Sequence, residues 1–140
     1  GFGTASPRAK VDIEGSAKFK TYSEFVQTLD ISGGNVDINL ADAQSFTLTV
    51  DEDVTQFTLL NPPTGATAFS ILITQDSTGG YSVGIATFKD SGGSDIDVKF
   101  PTGGVLPIVT TSASTSDIYS FKTFDGGSTL FGVVGGQNFA

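Results

Sequence analysis

The chain contains no cysteine, histidine, methionine or tryptophan. Without cysteine and histidine it can form no disulfide, no Ser-His-Asp triad, no thiol nucleophile and no zinc site of the Cys/His type. Because methionine is absent, we expect either a processed product or a piece of a longer protein. No apolar run approaches the roughly 18 residues of a membrane span, and no secretory signal is visible.

Basic residues are few, at seven against fifteen acidic ones, which gives a net charge of −8. This balance argues against a nucleic-acid partner, because phosphate contacts need clustered lysine and arginine. The first twenty residues nevertheless carry four basic and two acidic side chains, a net of +2, while the remainder carries three and thirteen, a net of −10. The basic segment could dock against an acidic neighbour, including another copy of the chain, or it could simply be solvated.

What the sequence has in abundance is strand and turn signals. Short segments in which apolar and polar residues alternate recur about every ten residues. This spacing is typical of a β-sandwich or barrel. The predicted strands cover residues 36–40, 46–50, 57–59, 69–74, 81–85, 96–100, 118–123 and 130–134. Glycine-rich turns at 33–35, 79–80, 92–93 and 125–127 supply the positive φ that tight hairpins require. We therefore expect an all-β fold, an antiparallel, jelly-roll-like β-sandwich in which 69–73 is a central strand.

A division is expected near residue 20. Residues 1–20 are basic and contain glycine and proline, so we expect an extended N-terminal arm or a stub of shaft, which could reach a neighbouring subunit. Residues 21–140 are expected to form the β-sandwich domain. The sole helix candidate, residues 23–29, is weak because β-branched and aromatic residues surround it.

Carboxylate chemistry is the main catalytic possibility left. Asp95 and Asp97 alternate around Ile96, which places both on one strand face about 7 Å apart, a spacing that a glycosidase could use. Calcium could bind the oxygen-rich turns 51–53 or 90–95. Acidic positions on strands and turns are more commonly solvated, so we predict no active site, no cofactor and no metal site.

Two groups of motifs resemble parts of bacteriophage tail fibres and related virion proteins. The first is GFGTASPRAKVDIEG at residues 1–15, similar to a short fibre module. The second begins near residue 36 and runs through TLLNPPTG (58–65), FSILITQD (69–76), TGGYSV (78–83), FKTFDGG (121–127), FGV (131–133) and the glycine pair 135–136. Relatives often carry tryptophan after the TGGYSV segment and near the closing hairpin, where this chain has Gly84-Ile85-Ala86 and Leu130-Phe131.

The resemblance implies a non-enzymatic structural protein located in the virion. It implies a tail-fibre or appendage domain that assembles as a homotrimer and contacts other virion proteins, with no nucleic acid and no membrane as partners. The side chains expected at the subunit interface are Phe2, Arg8, Lys10, Val11, Ile13 and Phe19. Two alternatives stay open, a capsid decoration or cement protein and a module that binds a host surface glycan. The missing tryptophans weaken the glycan alternative, because stacking on sugars would depend on tyrosine and phenylalanine.

Overall fold

Ten β-strands and no helix make up the protein in a computed structural model that describes residues 3, 5–6, 10–101 and 103–140. The strands are β1 (Val26–Leu29), β2 (Ile31–Ser32), β3 (Asn35–Asn39), β4 (Ser45–Val50), β5 (Gln56–Leu60), β6 (Thr67–Gln75), β7 (Phe88–Lys89), β8 (Asp95–Lys99), β9 (Ser116–Thr123) and β10 (Thr129–Phe139). The expected all-β class is thereby confirmed. Residues 10–25 contain no helix and no strand longer than a single bridge position.

The strict alternation of inward apolar and outward side chains explains why these segments are strands. In β6 the side chains of Phe69, Ile71 and Ile73 are buried, whereas Ser70 and Leu72 between them point outward. Successive side chains of a strand point to opposite faces, so one buried face and one outer face result. β6 lies between β4 and β9, which confirms the predicted central position of residues 69–73.

All ten strands belong to one sheet in the order β1-β4-β6-β9-β10-β8-β7-β5-β3-β2. We call β1, β4, β6, β9 and β10 the first half-sheet, and β2, β3, β5, β7 and β8 the second half-sheet. The chain alternates between them from β3 to β7, so that β4 and β6 enter the first half-sheet while β3, β5 and β7 enter the second. The pairing of β10 with β8 joins the two halves.

The expected antiparallel pairing is wrong for more than half of the sheet. Five of the nine strand pairings are parallel, namely β1–β4, β4–β6, β3–β5, β5–β7 and β8–β10. The physical reason is the alternation: a chain that crosses to the other half-sheet after each strand returns in the same direction. Antiparallel pairing appears where a short turn connects neighbours, as in β2–β3, β7–β8 and β9–β10.

The sheet is nearly closed into a barrel-like shape. Its two edge strands, β1 and β2, are consecutive in the chain and are separated only by Asp30. β1 also contacts β3. The closure leaves little free strand edge at this side of the sheet, which limits edge-to-edge pairing there.

Aromatic rings connect the two half-sheets in the core. Phe57 and Phe88 of the second half-sheet stack with ring centroids 5.0 Å apart, and Phe69 and Phe121 of the first stack at 5.2 Å. Phe88 also lies 5.0 Å from Phe121 and 6.4 Å from Phe69. Aromatic pairs at these distances add stabilisation beyond their buried area.

Most of the predicted strands and turns are present, with local exceptions. The pair Gly33 and Gly34, both at positive φ (59° and 78°), makes the predicted hairpin between β2 and β3, as a type I′ turn requires. The predicted strand 81–85 is absent; Val83 makes only an isolated bridge with Val54. The weak helix candidate 23–29 is instead occupied by β1, whose pairing with β4 outweighs its local helical spacing.

Candidate functional site

The predicted interface residues are largely exposed where the structure describes them. Phe2 and Arg8 lie outside the described residues. Lys10, Val11, Ile13 and Phe19 are exposed, with Val11 at 64% and Phe19 at 70%. Side chains exposed to the extent of Val11 and Phe19 gain little from the fold of their own chain, whereas Ile13 is 37% exposed. The expectation that these residues contact another subunit stays a prediction.

The exposed apolar segment extends beyond the predicted interface residues, to side chains that were not predicted from the sequence. Tyr22 and Phe25 are 79% and 71% exposed, and Val26 at the start of β1 is 55% exposed. Ser45 of β4 donates a hydrogen bond to the carboxylate of Glu24, which fixes the segment against the first half-sheet. The signal was present in the sequence as aromatic residues outside any clear alternating pattern.

Asp95 and Asp97 lie on the outer face of β8, exposed on either side of buried Ile96, as predicted. Lys89 donates to Asp95 at 2.6 Å, and Lys99 forms an ion pair with Asp97 at 3.1 Å. Each carboxylate therefore has its own lysine partner, an arrangement expected of a solvated strand surface.

The predicted calcium turns use their carboxylates to hold the backbone. Asp53 accepts hydrogen bonds from the N–H and the hydroxyl of Ser82, which lower its pKa. Asp90 accepts from the N–H groups of Gly92 and Ser94, closing the turn between β7 and β8. Asp90 and Asp95 also line a depression of about 320 Å³ beside Leu59 and Pro62. In the described part of the chain no group of three or more acidic residues is placed to hold a metal ion.

The outer face of the first half-sheet is almost free of charge. Its outward side chains follow the strand register in four rows: Ala68–Lys122–Phe131, Val26–Ser45–Ser70–Ser120–Val133, Thr28–Thr47–Leu72–Ile118 and Thr49–Thr74–Ser116. We call these fifteen residues the uncharged face, because Lys122 is their single charged member. Hydroxyl pairs link neighbouring strands, Ser70 with Ser120 at 2.7 Å and Thr74 with Ser116 at 2.8 Å.

The outer face of the second half-sheet has the opposite character. Five of its eleven outward positions are charged, and both described ion pairs lie there. Those positions are Ser32, Asn35, Asp37, Asn39, Gln56, Thr58, Leu60, Lys89, Asp95, Asp97 and Lys99. The two outer faces therefore differ strongly in charge.

One border of the uncharged face is apolar. Phe131 and Val133 of β10 are 45% and 50% exposed, and the ring of exposed Phe124 contacts Phe131 edge-on at 6.0 Å. The ammonium group of Lys122 lies 5.0 Å from the centre of the Phe124 ring. Beyond Val133, two depressions of about 350 and 340 Å³ are lined by Phe100, Pro101 and their neighbours, including Val105 and Leu106. We call these exposed residues of β10, Phe124 and the loop before β9 the apolar border.

A buried carboxylate anchors this border. Asp117 of β9 is 1% exposed and accepts hydrogen bonds from the N–H groups of Thr110 (2.7 Å) and Asn138 (2.8 Å). Gln137 donates from its amide to Asp117, to the hydroxyl of Tyr119 and to the carbonyl of Ile108. Burial raises the pKa of Asp117, but the hydrogen bonds outweigh burial and hold the pKa below its usual range. The loop before β9 and the end of β10 are thereby fixed to the same carboxylate.

The described residues include no helix long and apolar enough to cross a membrane. No known protein family, no curated protein and no solved structure matches the chain. The resemblance to virion proteins therefore stays an expectation.

Proposed function

We propose that this chain is a non-enzymatic structural protein of a bacteriophage particle, a tail-fibre or appendage domain that assembles as a homotrimer. In this proposal residues 21–140 form a compact sandwich-like body, and residues 1–20 form an extended arm that packs between protomers. The predicted interface residues of the arm supply the apolar contacts, and the work of the protein is assembly and surface contact.

The observation that carries the proposal is the amount of apolar side chain left exposed along the N-terminal segment. Val11, Phe19, Tyr22 and Phe25 are each more than 60% exposed. Exposed apolar residues that follow one another along a segment mark a protein–protein contact more often than isolated ones do. The resemblance of residues 1–15 to a fibre module supports the same conclusion.

Labelling of phage particles with antibodies against this chain tests the proposal. We expect the label at the tail, with copy numbers of a few tens or fewer per particle. Hundreds of copies spread over the shell would instead support the capsid decoration alternative. Absence of the chain from purified particles would overturn the proposed function.

A glycan-binding module is the second candidate, favoured by one specific feature. Phe124 and Phe131 are exposed aromatic rings in edge-to-face contact beside Lys122, and exposed aromatic rings can stack on a sugar. If this candidate is correct, replacing both phenylalanines by alanine abolishes binding to host polysaccharide while particle assembly is unchanged. Binding that survives the double replacement would exclude these rings as the sugar site.

A further inference from the structure

We infer that the uncharged face of the first half-sheet binds a second copy of this chain. The inference deepens the proposed function and rests on it, since it places a contact between protomers on the body beside the contacts proposed for the arm. Its starting point is the contrast between the two outer faces, one charged residue in fifteen positions against five in eleven.

The distribution of charge is the reason for proposing a second copy as the binding partner of this face. With a net charge of −8, two copies repel each other unless they meet where carboxylates are absent. The outward positions of the uncharged face carry no carboxylate of their own, and the Glu24 carboxylate reaches it only at Ser45 on the β1 side. Contact centred on β6 and β9 therefore brings few like charges together. Depletion of charge at the centre of a contact surface is also the main compositional feature of protein–protein interfaces.

The chemistry of the face suits burial. In the pairs Ser70–Ser120 and Thr74–Ser116 one hydroxyl donates to the other, so burial leaves a single O–H donor per pair for an acceptor of the other copy. Leu72 and Ile118 lie side by side between these pairs and give the centre of the face an apolar contact point. Lys122 at the margin can meet a carboxylate of the other copy.

The area is sufficient for a specific contact. Five strands about 4.8 Å apart, with about six residues of 3.3 Å each, span roughly 20 Å by 20 Å, or about 400 Å² per copy. Phe124 and the loop before β9, which lie outside these strands, enlarge this surface, so that two copies together bury on the order of 1,000 Å². That value meets the lower limit for a specific interface.

Sedimentation velocity of the intact chain with Leu72→Glu tests the inference. A glutamate at this position places a carboxylate in the centre of the contact, and we expect association to weaken at least about 100-fold. Leu60→Glu is the matched control, because Leu60 is an outward leucine of a strand in the second half-sheet. The wild type and Leu60→Glu should sediment as the same oligomer, and Leu72→Glu as a monomer with unchanged circular dichroism.

A cysteine footprint provides a second readout that does not depend on a disruptive change. The chain has no cysteine, so Ser70→Cys introduces a single thiol on the face, and Ser91→Cys introduces one on an exposed turn. We expect maleimide to react slowly with the first thiol at high protein concentration and faster on dilution, while the second reacts equally fast at both.

Two outcomes overturn the inference, and both leave the proposed function open to its own test. One is a wild-type chain that stays monomeric at hundreds of micromolar even though it is found in particles. The other is an oligomer that Leu72→Glu and Leu60→Glu affect equally, which would place the contact elsewhere, for example on the N-terminal segment. An oligomer sensitive to Leu72→Glu in a protein absent from particles would support the inference and contradict the proposed function.

Discussion

The backbone N–H of Thr110 donates a 2.7 Å hydrogen bond to the buried carboxylate of Asp117, joining the loop before β9 to the strand itself. The same carboxylate accepts from the N–H of Asn138 near the end of β10. The loop before β9, β9 itself and the end of β10 therefore share one anion.

Replacing Asp117 by asparagine should destabilise the protein. The amide keeps the shape of the carboxylate, but its NH₂ group faces an N–H donor and one buried donor loses its acceptor. We expect a loss of about 2–3 kcal/mol in the free energy of unfolding, measured by urea titration. Asp97→Asn, on an exposed strand face, should change it by less than about 0.5 kcal/mol.

The same variant should change the acid limb of the stability curve. Because the folded pKa of Asp117 is lowered, its contribution is fully present above its unfolded pKa of about 3.9 and is lost as the pH falls through the folded value. Thermal unfolding between pH 2 and pH 6 should therefore show a shallower fall for Asp117→Asn than for the wild type. Equal slopes would mean that the carboxylate is not held by these hydrogen bonds in solution.

Tyr119 should account for part of the loss of folding stability at alkaline pH. Burial, together with the nearby negative charge of Asp117, raises the pKa of Tyr119 to about 12. The unfolded tyrosine ionises near pH 10, so stability from the neutral phenol is complete below pH 10 and is lost as the pH rises from about 10 to 12. In Tyr119→Phe we expect this loss to be smaller, as followed by circular dichroism. Tyr22→Phe, at an exposed tyrosine, should retain the wild-type profile.

Gly79→Ala should be among the most damaging glycine substitutions. Gly79 has φ of +65°, and a Cβ atom there would lie 2.6 Å from the backbone nitrogen of Ala113. Neither backbone can move without breaking the hydrogen bond from Gly80 to the carbonyl of Thr111. We expect a loss of at least about 3 kcal/mol, from the left-handed conformation and the clash together.

Gly93→Ala is the control for that experiment. Gly93 also has positive φ, at +86°, but no atom lies within 4 Å of the added methyl group. The loss in the free energy of unfolding should be limited to the strain of alanine in the left-handed backbone conformation, about 1–2 kcal/mol. Equal losses for the two variants would show that the close approach of Ala113 contributes nothing.

Phe88→Leu should weaken the contact between the half-sheets. The ring of Phe88 lies within 6.4 Å of Phe57, Phe69 and Phe121, which belong to both halves. We expect a loss of about 1–3 kcal/mol by urea titration, since a cavity and three ring contacts are affected. Phe124→Leu, at a ring that is 63% exposed, should cost less than about 0.5 kcal/mol.

The strands were predictable from sequence because alternation is a local property. Residues 69–73 are the most continuously apolar of the predicted strands, which indicated their central position, and the glycine pair 33–34 identified its hairpin. β7 has only two residues, too few for any period to appear. β1 lies within the weak helix candidate 23–29, because a segment of four residues fits both the helical and the strand period.

The alternation of apolar and polar residues does not show which strands pair with each other. Alternation shows that Phe46, Leu48 and Val50 face inward, but a parallel neighbour twenty-five residues away and an antiparallel neighbour after a hairpin leave the same pattern. Of the site, the absence of acids at outward positions of 46–50, 69–74 and 118–123 was visible in the sequence. Asp117 lies just before the predicted strand 118–123, so the pattern did not mark it as a buried carboxylate. The convergence of the outward positions on one surface required the topology.

The alternation of the chain between the two half-sheets has a consequence for how the protein can be made. No continuous stretch of polypeptide contains all the strands of one half without strands of the other. A nascent chain released before β9 and β10 would therefore expose the rings of Phe69 and Phe88, which pack against Phe121 of β9. Pairings between distant residues also slow folding, because long loops must close before they are stabilised. Fragments shortened from the C-terminus should accordingly be insoluble, rather than smaller versions of the same domain.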